Sequence, residues 1–238
     1  YVQSDASTTA LTLESAMVQW AGFTFGVAPE NYAMMPGTQY SANPYAGFPA
    51  GMKQIAYTAN FGGGLTATLA LEDRKDFGYD QTFTTQPSTS GNVVGNIRLD
   101  QAWGWAALHG AVGNNSIANT SLVTGGAAGQ KTYGSWALGT TVSFKLPMIS
   151  AGDQIWLTAN YTDGMIGALL TAGGLSNVNK PANGRMLGGY LRVDSNLVQT
   201  GGSGTAADPK TFDSTTGWNV GAQMTHYWAA QWRSNLVA

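Results

Sequence analysis

The chain has 238 residues, a formal net charge of −2 and no cysteine. Charged residues make up only 10% of it, against about 25% in an ordinary soluble domain. The near-neutral balance gives no electrostatic footprint for nucleic acid. The absence of thiols excludes a disulfide framework and a thiolate metal site.

Hydrophobic residues are 43% of the chain and glycines number 32, so Gly, Ser, Thr, Asn and Gln stand where charge is missing. The surface is then polar but uncharged, or much of it does not face water. No apolar run approaches the ~18 residues of a transmembrane helix. The chain begins at Tyr1 without a signal peptide and ends on "QWRSNLVA", inside a strand-like pattern. Both ends are therefore expected to belong to a longer protein.

Period-two alternation dominates, and helical periodicity is nearly absent. In "MKQIAYTANF", Ile55, Tyr57, Ala59 and Phe61 oppose Gln54, Thr58 and Asn60. In "LTATLALE", Leu65, Ala67, Leu69 and Leu71 oppose Thr66, Thr68 and Glu72. In "SWALGTTVSFKL", Trp136, Leu138, Val142, Phe144 and Leu146 oppose Ser135, Thr141, Ser143 and Lys145. The same pattern sets Ile155, Leu157, Ala159 and Tyr161 against Gln154, Thr158, Asn160 and Thr162. It also sets Trp218, Val220, Ala222 and Met224 against Asn219, Gln223 and Thr225. Segments of roughly ten residues have the length of a tilted strand that crosses a bilayer. Soluble strands average about five or six.

The connections alternate between short and long. The short ones are "WAGF" at 20–23, "FGGG" at 61–64, "WGW" at 103–105 and "WAAQW" at 228–232, with "LPMISAGD" at 146–153 a little longer. The long ones fall near 28–51, 74–92, 113–131 and 165–216. Connections longer than about 15 residues are uncommon in compact domains. An up-and-down barrel in an outer membrane predicts this alternation, with tight turns on the periplasmic side. The expected fold is therefore all-β, a transmembrane antiparallel up-and-down β-barrel. Trp20, Phe23, Phe61, Trp103, Trp105, Trp228 and Trp232 stand at the short turns. They read as an aromatic girdle, whose ring bodies suit lipid and whose indole N–H groups suit headgroups. The alternative is a soluble, carbohydrate-binding β-sandwich, which also has two-faced strands.

The blocks "AMVQWAGFTFG", "MKQIAYTANFGGGLTATLALED", "IRLDQAWGWAALHGA", "LPMISAGDQIWL" and "GWNVGAQMTHYW" resemble the porins of alphaproteobacteria, in that family's order. The resemblance implies an outer-membrane barrel of about sixteen strands, usually a homotrimer, that passes small hydrophilic solutes and ions by passive diffusion. About ten strands are represented here, so 1–238 reads as a single, incomplete barrel domain. The resemblance also implies that the loop at 28–51 folds into the barrel and narrows the pore. Glu30, Asn31, Tyr32, Tyr40 and Tyr45 lie on it, with Phe48. Its tyrosines can pack on the inner wall, and Pro29 with Glu30 could open a short helical turn. The family commonly carries Arg after the strand glycine and a basic residue in the preceding strand. Val27 and Ser15 stand there instead, which weakens any transverse field at the constriction.

A diffusion pore needs a water-filled lumen, a constriction and charges that bias ions, with no catalytic group. The candidate lumen charges are Glu72, Arg98, Asp100 and Lys145. Arg98 and Asp100 read equally as a structural pair near the periplasmic mouth. Lys53 begins its strand on the apolar side, where it snorkels toward headgroups or meets a lipid phosphate.

Other motifs carry less. "TGGAAGQKT" at 124–132 lacks P-loop spacing, and "DRKDFGYD" at 73–80 lacks the EF-hand register. His109 and His226 have no HExxH or Cys partners, and there is no GxSxG elbow. No enzyme activity, metal or cofactor is expected. The expected partners are membrane lipid or lipopolysaccharide, small hydrophilic solutes and like subunits, with no nucleic acid. The segment 165–216, with "LGGYLRVDSN" at 187–196 inside it, reads as a long extracellular loop. A non-conducting structural or adhesive envelope barrel has the same periodicity and stays open as an alternative.

Overall fold

The computed structural model describes residues 2–4, 11–13, 15–32, 34, 51–73, 91–118, 123, 130–169 and 196–237. A small ladder pairs β1 (Val2–Ser4) with β2 (Leu11–Leu13). The main sheet has ten antiparallel strands. They are β3 (Ala16–Trp20), β4 (Phe23–Pro29), β5 (Gly51–Gly62), β6 (Leu65–Glu72) and β7 (Asn92–Gln101). Then follow β8 (Gly104–Ala118), β9 (Gln130–Lys145), β10 (Gln154–Asp163), β13 (Thr216–Ala229) and β14 (Trp232–Val237). Each strand from β3 to β10 pairs with the next in sequence, and β10 then pairs with β13. Between β10 and β13 come a 3-10 turn (Ile166–Leu169) and a hairpin of β11 (Leu197–Gly201) and β12 (Thr211–Ser214).

Alternation within each strand sorts the side chains cleanly. Val18, Phe25, Ile55, Leu69, Val93, Ile97, Leu108, Val112, Leu138, Leu157 and Val220 all stand exposed on one face. The opposite face carries Gln54, Glu72, Asn92, Asn96, His109, Thr141, Thr158, Asn160, Asn219 and Gln223, all buried. An apolar face left open to solvent over so many strands is out of place in water. It suits lipid, where the ladder also satisfies the backbone groups that hydrocarbon cannot.

Cross-strand register turns this alternation into rows across the sheet. One row of the polar face runs Thr58, Thr68, Asn96, His109, Gly139, Asn160 and Asn219. The row two residues further along runs Ala56, Ala70, Val94, Ala111, Ala137, Thr162 and Gly217. Its side chains are small, so chain segments can lie down on the sheet there. An apolar cluster forms on it from Tyr32, Met52, Val94, Ala111, Ala137, Met165 and Ala168.

Three features differ from the sequence reading. The strands β8 and β9 pair as far as Ala118 and Gln130, so the connection expected at 113–131 is shorter. The Asn, Ser and Thr there suited a loop by composition, but tertiary pairing decides strand ends. No helical turn opens at Pro29. Pro29 closes β4, and its carbonyl accepts a hydrogen bond from Gln54 Nε2 at 2.7 Å. Finally, the segment at 165–216 does not all lie outside the sheet, since Met165 and Ala168 join the cluster on the polar face. The stretches that hold Tyr40, Tyr45 and Phe48, and 187–195 of "LGGYLRVDSN", lie outside the described residues.

The two faces predict opposite tolerance of charge. Leu69→Arg, in lipid near the bilayer midplane, should cost about 2–4 kcal/mol. Thr68→Arg, on the polar face of the same strand, should cost far less. Urea titration of both variants of the full-length protein in lipid vesicles measures the difference.

Candidate pore-lining site

The chain leaves β4 at Pro29 and turns onto the polar face, and Gln54 starts the hold on it. Its Nε2 donates to the Ala28 carbonyl at 3.1 Å as well as to Pro29. Asn31 then plugs into the wall. Its backbone N–H donates to Glu72 Oε1 at 2.8 Å, and its Nδ2 reaches the same oxygen at 2.6 Å. Nδ2 also meets Gln54 Oε1 at 2.6 Å, while the Asn31 carbonyl accepts from Asn96 Nδ2 at 2.9 Å. Glu72 is 1% exposed and has no ion-pair partner among the described residues. Its role here is to accept hydrogen bonds that fix the loop.

Tyr32 carries the segment further across the sheet. Its ring meets His109 edge-on at 4.7 Å, and its hydroxyl donates to Asn160 Oδ1 at 3.2 Å. Asn160 donates in turn to Thr158 Oγ1 and to Asn219 Oδ1. His109 Nε2 lies 3.2 Å from Thr141 Oγ1. The glycine of this row is a space requirement. A Cβ at Gly139 would run into Asn160 Oδ1 and His109 Cε1, so only glycine lets the two polar side chains fold over β9.

The expected lumen charges divide into two levels. Glu30 and Glu72 belong to the inward-turned segment and its anchor. Arg98 and Asp100 lie toward the short turns, where Arg98 Nε and Nη2 each hold an Asp100 oxygen at 2.7 Å. This bidentate pair is mutually neutralising. Lys145 ends β9 at the same end of the sheet, and its backbone N–H donates to the Trp103 carbonyl at 2.8 Å. Lys53 stands 77% exposed on the apolar face, 3.8 Å from Asp73.

Of the expected girdle, Trp20, Phe23, Phe61, Trp103, Trp228 and Trp232 are exposed at the short-turn ends of their strands. Trp103 packs against Phe144, with ring centroids 5.4 Å apart. Trp228 donates from Nε1 to Ser234 Oγ at 3.0 Å. Trp105 is a correction. The turn sits at Ala102 and Trp103 rather than at Gly104, which starts β8 with φ 144°. Register then pairs Trp105 with Asp100. Its ring therefore faces the polar side, with the Arg98 guanidinium 4.2 Å above it. Trp156 belongs to the same row, flanking Ser143 on the polar face. It is even-numbered like Gln154 and Thr158, so its face was legible.

The sequence reading also passed over Asp153, which clamps the short-turn end. Its Oδ1 accepts the Tyr227 N–H at 2.8 Å, and its Oδ2 meets His226 Nδ1 at 2.6 Å. Burial raises the Asp153 pKa, but the hydrogen bonds from His226 and Tyr227 outweigh it and hold the carboxyl below the usual range. Among the described residues no group of three His, Cys, Asp or Glu is placed to hold a metal ion.

Two predictions test this wiring. Because the folded pKa of Asp153 is depressed, its stabilisation is present above the ordinary carboxylate pKa. It should fade as pH falls through the lower folded value. Asp153→Asn should flatten that acid limb of the urea midpoint against pH. Glu72→Ala strands the two Asn31 donors and should cost about 1–3 kcal/mol. Glu72→Gln keeps an acceptor and should cost less in the same titration.

Comparison with known proteins agrees with this architecture. The family model described as the porin subfamily matches residues 2–236. A search of curated proteins finds no match. Among solved structures, the outer membrane channel DcaP of Acinetobacter baumannii is similar, with a TM-score of 0.66 at 13% identity. The likeness covers 99% of this chain and 57% of that one, so the chain spans little more than half of the channel's length. With its apolar outer face, polar inner face and inward-turned loop, the chain belongs to the porin subfamily, β-barrel proteins of the bacterial outer membrane.

Proposed function

We propose that the full protein is a passive, water-filled channel for small hydrophilic solutes and ions, with the segment after β4 as its constriction. The observation that carries this reading is the fixing of Asn31 and Tyr32 across the polar face, from Glu72 and Gln54 to Asn160. A surface loop needs no such wiring. A segment that must stay in place while solute passes beneath it does.

The described polar face supports weak rather than strong charge selection. Its polar side chains are mostly Asn, Thr, Ser and Gln beside a row of small apolar residues, and Arg98 is neutralised by Asp100. The remaining charges at the constriction level, Glu30 and Glu72, are acidic. The ten-stranded sheet has β3 and β14 at its edges. An unpaired edge in lipid is costly, so further strands of the full protein are proposed to close the barrel, about sixteen in all. A homotrimer, contacts with lipid or lipopolysaccharide and an alphaproteobacterial affiliation complete the proposal. All of them come from the resemblance carried by the strand-and-turn blocks.

The buried apolar cluster favours a second reading, a barrel whose lumen is plugged. Planar-bilayer recording separates the two. The full-length protein should give ohmic conductance steps, with liposome swelling that falls as sugars grow larger. Tyr32→Ala, which removes the ring over His109, should raise both the conductance and the size limit. Silent bilayers from folded wild-type protein would leave the plugged barrel standing.

A further inference from the structure

We infer that the turn after β10 is a second jaw of the constriction, and that Asn219 is its positioning residue. This rests on the channel reading above and adds a second wall to it.

The turn begins where β10 ends. The Thr162 hydroxyl accepts the Met165 N–H at 3.1 Å and starts the turn inward. Met165, Ile166, Ala168 and Leu169 are all buried. Glycines give them room on two strands. A Cβ at Gly217 would stand 2.8 Å from Leu169 Cδ1 and 3.2 Å from Ile166 Cδ1. A Cβ at Gly113 would stand 2.9 Å from Met165 Cε. Met165 therefore reaches from β10 across β9 to β8. There it joins Tyr32, which has come the other way from β4, in one apolar cluster.

The two segments also share a polar relay. Tyr32 donates to Asn160, Asn160 donates to Asn219, and Asn219 Nδ2 donates to the Leu169 carbonyl at 2.5 Å. Asn219 is thus hydrogen-bonded to the anchor of the first segment and to the end of the second. From the other side the external hairpin grips the same turn. Asn196, just before β11, accepts the Ile166 N–H at 3.0 Å and donates to Asn115 Oδ1 at 3.2 Å. Asn115 Nδ2 donates to the Gly164 carbonyl at 2.8 Å. The hairpin's Leu197 and Phe212 pack with Ile117 on the extended part of β8, and Tyr133 of β9 packs against them. The width of the opening thus depends on two inward segments that brace each other.

The test uses the full-length protein in planar bilayers, with folding checked by resistance to unfolding in detergent. Asn219→Leu removes the relay but not the bulk, and Met165→Ala removes the apolar contact but not the relay. Both should shift single-channel conductance upward and admit larger neutral sugars in liposome swelling. Asn219→Leu combined with Tyr32→Phe should add little to either alone, because one relay serves both. Folded variants that conduct and sieve as wild type does would overturn the second jaw, even if they melt earlier. Silent wild-type protein would instead refute the channel reading itself.

Discussion

Everything in this chain follows from pairing the backbone in a medium that offers no hydrogen bonds. Within hydrocarbon, each unsatisfied N–H or C=O costs several kcal/mol. A chain without a long apolar helix must cross lipid as laddered strands. Once it does, the two-residue period of the strand sends alternate side chains into two different solvents. The apolar-face row of Leu69, Gly95, Gly110 and Leu138 and the polar-face row of Thr68, Asn96, His109 and Asn160 are neighbours by a single residue. A one-residue slip in register would exchange them, so the hydrophobic pattern also fixes the register.

The same ladder builds the site. Because strands are held in register, polar residues distant in sequence line up in one row. Asn96 and Asn160 come from β7 and β10, yet both hold the segment that leaves β4. The row of small residues beside them leaves depth for Tyr32 and Met165 to pack. Small side chains and a glycine at 139 are thus as much part of this inward packing as the amides that hold the segment in place. Buried amide groups of this kind tolerate little change, since a lost partner leaves the other unsatisfied.

Much of this was legible in the sequence. The alternation named the faces of Ile55, Leu69, Leu138 and Asn160 without ambiguity, and the short turns marked one end of the sheet. The placement of Glu72 on the polar face was legible for the same reason. What escaped was set by single-residue turn geometry or by long-range packing. Trp105 moved to the polar side because the turn centres on Ala102 and Trp103. The run "GMIGALL" at 164–170 was absorbed into a polar loop, although its apolar residues signalled a packing partner. No local pattern could pair Asn31 with Glu72 or Asn219 with Leu169, since those contacts exist only once the strands are in register.

The central claim is that the polar face meets water and the apolar face meets lipid in the assembled protein. The chain's lack of cysteine makes a direct measurement simple. Single cysteines placed one at a time from Leu65 to Leu71, in full-length protein in lipid vesicles, can be challenged with a water-soluble thiol reagent. Labelling is expected at Thr66 and Thr68, with protection at Leu65, Ala67, Leu69 and Leu71. Equal labelling on both faces, or protection on both, would contradict it.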